Sequence, residues 1–548
     1  MKRHIIGALI IAASMIAAAP VAEACTNFIA GKKATADGSV MITYAADSHN
    51  LYGMLTHTPA AKHAPGEMRK VVEWDTGKPL GEIPQVAETY NVVGNMNEHQ
   101  VAIGETTWGG HPELVDTTGN SIIDYGSLIQ IALERSKTAR EAIKVMTDLV
   151  EKYGYASSGE SFSIADKNEV WVLEMIGKGA EKGAVWIAVR IPDDAISGHA
   201  NEPRIRQVNY KDKKNVLYSK DLFKFARKRG YFTGKDADFS FADAFENHSP
   251  ANRRGCDGRV WAYFRAFSPE ADQYYAWCDG KSDVPMPLYI VPEKKVSLKA
   301  MQERMRDHFE GTQFDMTQDI GAGPNKVPYR WRPMEYEVDG KKYLMERATA
   351  TQQTGWSFVA QCRDWLPDPV GGILWFGTDD TNSTVYMPFY CSMTKVPRQL
   401  REGDVNTFDF ESNFWMNNWV ANQLYHRYDL MIPDVRKVQS GLENKFQNGR
   451  DAMDKELTAL VQSGNYAELV NRVNNEGANI AHEATDAYRD LAIYLLVRFM
   501  DGNMKKTDEK GEFQYNEYGI PIYPNFPGYD KRYYENIVKE SGDHFLSR

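Results

Sequence analysis

The chain has 548 residues, 43% of them hydrophobic and 12% aromatic, with a formal net charge of −10. That length holds a large core, and the composition is that of a globular protein. The acidic balance argues against nucleic acid or an anionic membrane as the main partner.

The first 24 residues read as an export signal. Lys2, Arg3 and His4 form a basic region, residues 5–19 carry no charge, and Pro20 breaks the run. Ala22 and Ala24 then occupy the −3 and −1 places of an A-x-A cleavage site, between Ala24 and Cys25. Two alternatives use the same residues. An uncleaved anchor would need a longer apolar run. A lipoprotein, acylated on Cys25, would normally have Leu at −3, where this chain has Ala22. Cleavage leaves about 524 residues, secreted or periplasmic. No later segment is apolar enough to span a bilayer.

In chain order, residues 26–30 and 39–46 form a predicted hairpin across the Ala36-Asp37-Gly38 turn. Residues 90–94 and 101–107 are a second strand pair. Residues 127–153 read as helical, with an apolar stripe at three-to-four spacing and Thr138 as a candidate N-cap for the second half. Residues 161–165 and 170–174 flank a polar turn, 185–190 is a further strand, and 297–309 a helix. Strands at 356–362, 373–376 and 384–390 return to the sheet core. Strands, helix and strands without βαβ alternation imply an α+β fold of stacked antiparallel sheets with helices outside. The expected division is a signal peptide at 1–24, a catalytic domain at 25–404, a helical appendage at 405–505 and an extended tail at 506–548.

Five cysteines are present. Export permits disulfides, so Cys256, Cys278, Cys362 and Cys391 could form two bridges, or be small buried residues. Cys25 is left single. If cleavage exposes it, one residue carries a thiol and a free α-amino group. The amine's unperturbed pKa of about 7.7–8.0 suits a general base. It can take the thiol proton and pass it to a leaving amine, through a thioester intermediate. His49 and His99 are expected to be structural polar groups. Asp379-Asp380-Thr381-Asn382 lacks an EF-hand's spacing and reads as a solvated turn. No zinc-peptidase or phosphate-loop motif occurs, and no cofactor or metal is expected.

The segments Ala24-Cys25-Thr26-Asn27-Phe28, Ala36-Asp37-Gly38-Ser39, Asn97-Glu98-His99-Gln100-Val101-Ala102-Ile103, His199-Ala200-Asn201-Glu202 and Asn418-Trp419-Val420-Ala421-Asn422 together resemble the bacterial dipeptidases among the N-terminal-nucleophile (Ntn) hydrolases. More distantly, the chain is similar to bile acid hydrolases and penicillin V acylases. The resemblance implies a four-layer αββα sandwich with the nucleophile starting an inner strand. It implies Cys25 as nucleophile, Asp47 near the nucleophile's amine, Asn201 in the oxyanion site and Arg259 facing the nucleophile. Thr107 stands where acylases carry a second oxyanion Asn, and Tyr44 where they carry Arg. The expected activity is cleavage of dipeptides, with signal peptidase as the maturation partner. The rivals are an Ntn amidase acting on N-acyl amino acids and a non-catalytic lipoprotein.

Overall fold

The computed structural model describes residues 25–547, so the export signal expected at 1–24 lies outside the described residues. Two antiparallel sheets form the centre. The first has seven strands in the order Tyr289–Ile290, Ile196–His199, Asn27–Ala30, Val40–Asp47, Thr354–Cys362, Gly372–Thr378 and Met387–Tyr390. The second has eight: Val216–Tyr218, Glu181–Ile191, Val170–Lys178, Gly159–Ala165, Ala102–Trp108, Met96–Asn97, Val92–Val93 and His57–Thr58.

Every residue of Asn27–Ala30, Val40–Asp47 and Thr354–Cys362 is buried, so these strands are covered on both faces. The two-residue period of a strand sorts the second sheet. Ala102, Val170 and Val172 join the core shared with the first sheet. Their neighbours Ile103, Trp171 and Leu173 pack under the helices Tyr125–Arg135 and Ala139–Tyr153. Beyond the first sheet lie the helices Asn413–Asn448, Arg450–Gln462 and Tyr466–Phe499, whose Leu424, Leu457, Val473 and Ile480 share a core with Phe389 and Met393. The layers run helix, sheet, sheet, helix, the αββα sandwich expected.

Several local expectations are corrected. The helix over 127–153 is two helices. Ser136 ends the first, and Thr138 caps the second by accepting from Glu141 N. The helix at 297–309 stops at Met305, and Phe309 has φ +65°. The tail contains a helix, Lys531–Ser541, capped by Asp530. Residues 379–384 are buried rather than solvated, because the Asn413–Asn448 helix covers them: Asn418 donates to Asp379 at 2.9 Å and Tyr425 to Asp380 at 3.0 Å. All five cysteines are free thiols. Cys362 and Cys391 flank Gly372, yet each thiol donates to a carbonyl, Gln100 O at 3.2 Å and Asp368 O at 3.3 Å. Cys278, Cys362 and Cys391 are small buried residues, as the second reading had it, and Cys256 is half-buried.

Candidate active site

Cys25 stands at the head of the inner strand Asn27–Ala30. Thr26 and Ala45 exchange backbone hydrogen bonds at 3.3 and 2.9 Å, and Phe28 N donates to Thr43 Oγ1 at 2.9 Å. The next side chain crosses to the second sheet, where Asn27 Nδ2 donates to Glu105 O at 2.6 Å. Gly104 is required beneath it, since a Cβ there would lie 2.2 Å from Asn27 Oδ1. His199 makes a second crossing. Its Nδ1 lies 2.7 Å from Thr106 Oγ1 and its Nε2 2.8 Å from Ser163 Oγ. Burial, aided by Arg204, lowers the His199 pKa to about 3, so this imidazole is a neutral tie between the sheets and not a base.

The Cys25 side chain is 2% exposed. Burial, then Glu105 and Asp47, push its thiol well above the usual range, while the Asp47 backbone and the Tyr44 hydroxyl favour the thiolate. The Tyr44 hydroxyl lies 3.6 Å from Cys25 Sγ and also bonds Glu105 Oε1.

Arg259 lies in the first turn of the helix Asp257–Phe267. A buried brace sets that helix: Arg204 donates to Asp257 at 2.9 Å, and Trp277 to the same carboxylate at 2.7 Å. Arg259 Nη1 donates to Cys25 O and Thr26 Oγ1, both at 2.8 Å; its Nη2 donates to Ala200 O at 3.1 Å and Asn201 Oδ1 at 2.9 Å. Burial, then Arg347, lower its pKa to about 10, and it stays charged at neutral pH. Asn201 has φ +60°, a conformation that Asn tolerates better than most residues. Its Nδ2 donates to Thr107 O at 2.6 Å.

Asp47 is fully buried, and burial raises its pKa despite Arg347. Arg347 Nη2 donates to it at 2.5 Å and Thr354 Oγ1 at 2.6 Å. Residue Arg347 was not singled out in the sequence. It follows the exposed hairpin of Glu335–Val338 and Lys341–Leu344, and only the fold brings it 300 positions back to Asp47. Glu105, Glu160 and Arg332 were missed likewise. A carboxylate as the single charge in each strand was the available signal for Glu105 and Glu160.

Asn201, Arg259 and Thr107 line one cleft of about 400 Å³ together with Cys256, Arg332, Arg347 and Glu246. Arg332 is held by Gln353 Oε1 at 3.0 Å rather than by a carboxylate. Glu246 Oε2 accepts from Gly110 N at 2.7 Å. His99 is away from the cleft, 3.6 Å from Asp368. His49 is largely exposed; partial desolvation, then Arg332 and Arg347, lower its pKa. The fold thus gathers Cys25, Asp47, Asn201 and Arg259, and it excludes the imidazoles of His99 and His199 from the site.

The αββα layering is the one that the resemblance to the Ntn hydrolases implied. The sequence pattern of peptidase family C69 matches residues 24–441. A protein named "Probable dipeptidase" from Salmonella dublin is 27% identical over 407 residues, covering 70% of this chain and 83% of that protein. A "Probable dipeptidase" from Latilactobacillus sakei is 24% identical over 494 residues, covering 86% and 95%. The penicillin V acylase structure from Agrobacterium tumefaciens aligns with 68% of this chain and 87% of its own, at 13% identity and a TM-score of 0.29. The chain belongs to peptidase family C69, and it is a peptidase.

Proposed function

We propose that this protein is an exported dipeptidase whose mature chain begins at Cys25. The thiol proton passes to the Cys25 α-amino group, directly or through one water. The sulfur attacks the peptide carbonyl, and the oxyanion accepts from Asn201. The C–N bond breaks as the ammonium returns the proton to the leaving amine. Water, deprotonated by the same amine, then hydrolyses the thioester and regenerates the thiol. Asp47 orients the amine, and Arg259 holds the Cys25 carbonyl and the Asn201 amide.

The observation that carries this reading is the charge of the cleft beside Cys25. Arg332 supplies a cation and Glu246 an anion within one enclosure. A dipeptide presents a carboxylate and an ammonium about 7 Å apart when extended. Recognition of both ends limits length, because a longer chain puts uncharged peptide groups against one of the two charges and leaves it unmatched. The names of the relatives agree with this reading, and the leader's cleavage pattern supports export.

The test is N-terminal sequencing and intact mass of the exported protein, with dipeptide hydrolysis measured for wild type and Cys25→Ala. The expected result is a bare Cys25 terminus, turnover of free dipeptides and none by the variant. Activity confined to N-acylated substrates would replace this reading with an amidase. A lipid-modified Cys25 would replace it with a lipoprotein.

A further inference from the structure

From Cys25 a line of polar groups crosses from the first sheet to the second. Its first member is Tyr44, whose hydroxyl is 3.6 Å from the sulfur. The ring is fixed edge-on against Trp356 at 5.0 Å and Phe358 at 5.8 Å between centroids. The Tyr44 hydroxyl donates to Glu105 Oε1. Its single proton is then committed, so the thiol is the donor in the contact between Tyr44 and Cys25.

Glu105 and Glu160 lie on paired strands, in register with Phe162 and Thr107 respectively, and are 1% and 0% exposed. The register makes the two carboxyl groups diagonal neighbours on one face of the paired strands. Two carboxyl groups buried this close resist ionising together, and burial, then Glu105, push Glu160 well above the usual carboxylate range, so Glu105 is the member that accepts from Tyr44 as a carboxylate. The line ends at the cleft wall, where Thr107 Oγ1 donates to Glu160 Oε1 at 2.7 Å. The other ionisable groups within electrostatic reach are Asp47 beside Cys25, Tyr125 beside Tyr44, and Asp75 and Tyr155 beside the carboxyl pair.

We propose that Tyr44 is a catalytic residue, and that it relays the Cys25 proton to the Glu105–Glu160 pair. The S–H bond breaks as the Tyr44 oxygen takes the proton. The Tyr44 O–H bond breaks as Glu105 takes its proton, and Tyr44 is neutral before and after. One negative charge moves from the carboxyl pair to the sulfur, and no electron donor or acceptor is needed. The consequence rests on the reading of Cys25 as nucleophile. With this second acceptor the α-amino group can enter the cycle as ammonium, already the acid that the leaving nitrogen requires. The proton returns along the same line when the thioester is cleaved.

The experiment compares mature wild type with Tyr44→Phe and Glu105→Gln. It measures kcat/KM for a dipeptide against pH, and the rate at which iodoacetamide labels Cys25, followed by peptide mass mapping. In both variants the acid limb moves up by about one pH unit or more, and labelling near pH 6.5 slows about tenfold, one pKa unit being a factor of ten; for Glu105→Gln this is opposite in sign to the effect of its charge alone, whose removal would ease ionisation of the thiol. KM changes little. The double variant shifts no further than either single one. If Tyr44→Phe loses its native circular dichroism, Glu105→Gln alone carries the same prediction. An unchanged profile and labelling rate in Glu105→Gln, or in a folded Tyr44→Phe, overturns the relay. If Cys25→Ala is inactive while the relay variants behave as wild type, only the relay falls. If Cys25→Ala retains turnover, the nucleophile reading falls.

Discussion

Arg259 and Asn201 orient each other. The guanidinium Nη2 lies 2.9 Å from the amide oxygen, which turns the amide nitrogen to Thr107 O at 2.6 Å. The donor face of Asn201 is therefore set before substrate arrives, which is what oxyanion stabilisation requires. Asn201→Gly keeps the φ of +60° accessible and removes only the amide. We expect kcat to fall about 10²–10³-fold, with KM little changed and native circular dichroism. A variant with wild-type kcat would remove Asn201 from the oxyanion site.

Arg332 is expected to recognise the substrate carboxylate. A hydrogen bond to a charged group is worth about 1.5–3 kcal/mol, so Arg332→Gln should raise KM for dipeptides by about 10–150-fold. The same variant should treat a C-terminally amidated dipeptide much as wild type does. Equal losses on the free acid and the amide would indicate damage to the cleft, not loss of recognition.

His199 ties acid stability to the join between the sheets. Its folded pKa, about 3, is depressed below the ordinary value, so the unfolded chain binds the extra proton first. The neutral ring's contribution is present above about pH 6.5 and is lost as pH falls toward 3, at about 1.4 kcal/mol per unit. Glu174 acts in the opposite sense. Burial raises its pKa to about 7, so stability is lost as pH rises from the usual carboxylate range toward 7. Urea unfolding of wild type and His199→Gln between pH 7 and 5 separates the two. The variant should show the shallower loss on acidification, and parallel pH dependences would contradict the assignment.

The unbridged cysteines make a plain chemical prediction. Unfolded in denaturant without reductant, the mature protein should give five titratable thiols per chain. Its thermal midpoint should not respond to dithiothreitol. Fewer thiols, recovered on reduction, would mean that a bridge forms.

Elements with a strong repeat were the legible ones. The stripes of Asn413–Asn448 and Tyr466–Phe499 carry their period in the sequence, because one buried face dictates residue type. Thr138 was legible because capping is local chemistry. Ser136 was not read as a helix end, since the apolar stripe continues across it. The loop at 379–384 was misread because its burial comes from a helix that starts about 30 residues later. For the site, the motifs around Cys25 and Asn201 led to residues that the fold brings together. Arg347 and the Tyr44–Glu105 contact depend on strand pairing and on contact between sheets, and neither leaves a local pattern.

Asn27–Ala30 has neighbours on both edges and packing above and below. Sliding it by a single position would turn all its side chains over at once. The aim of the sulfur is thereby inherited from the whole interior and not from a nearby loop. Distant substitutions that loosen the central layers should slow turnover before any change shows at the cleft, so catalytic rate doubles as a gauge of how tightly the sandwich is assembled.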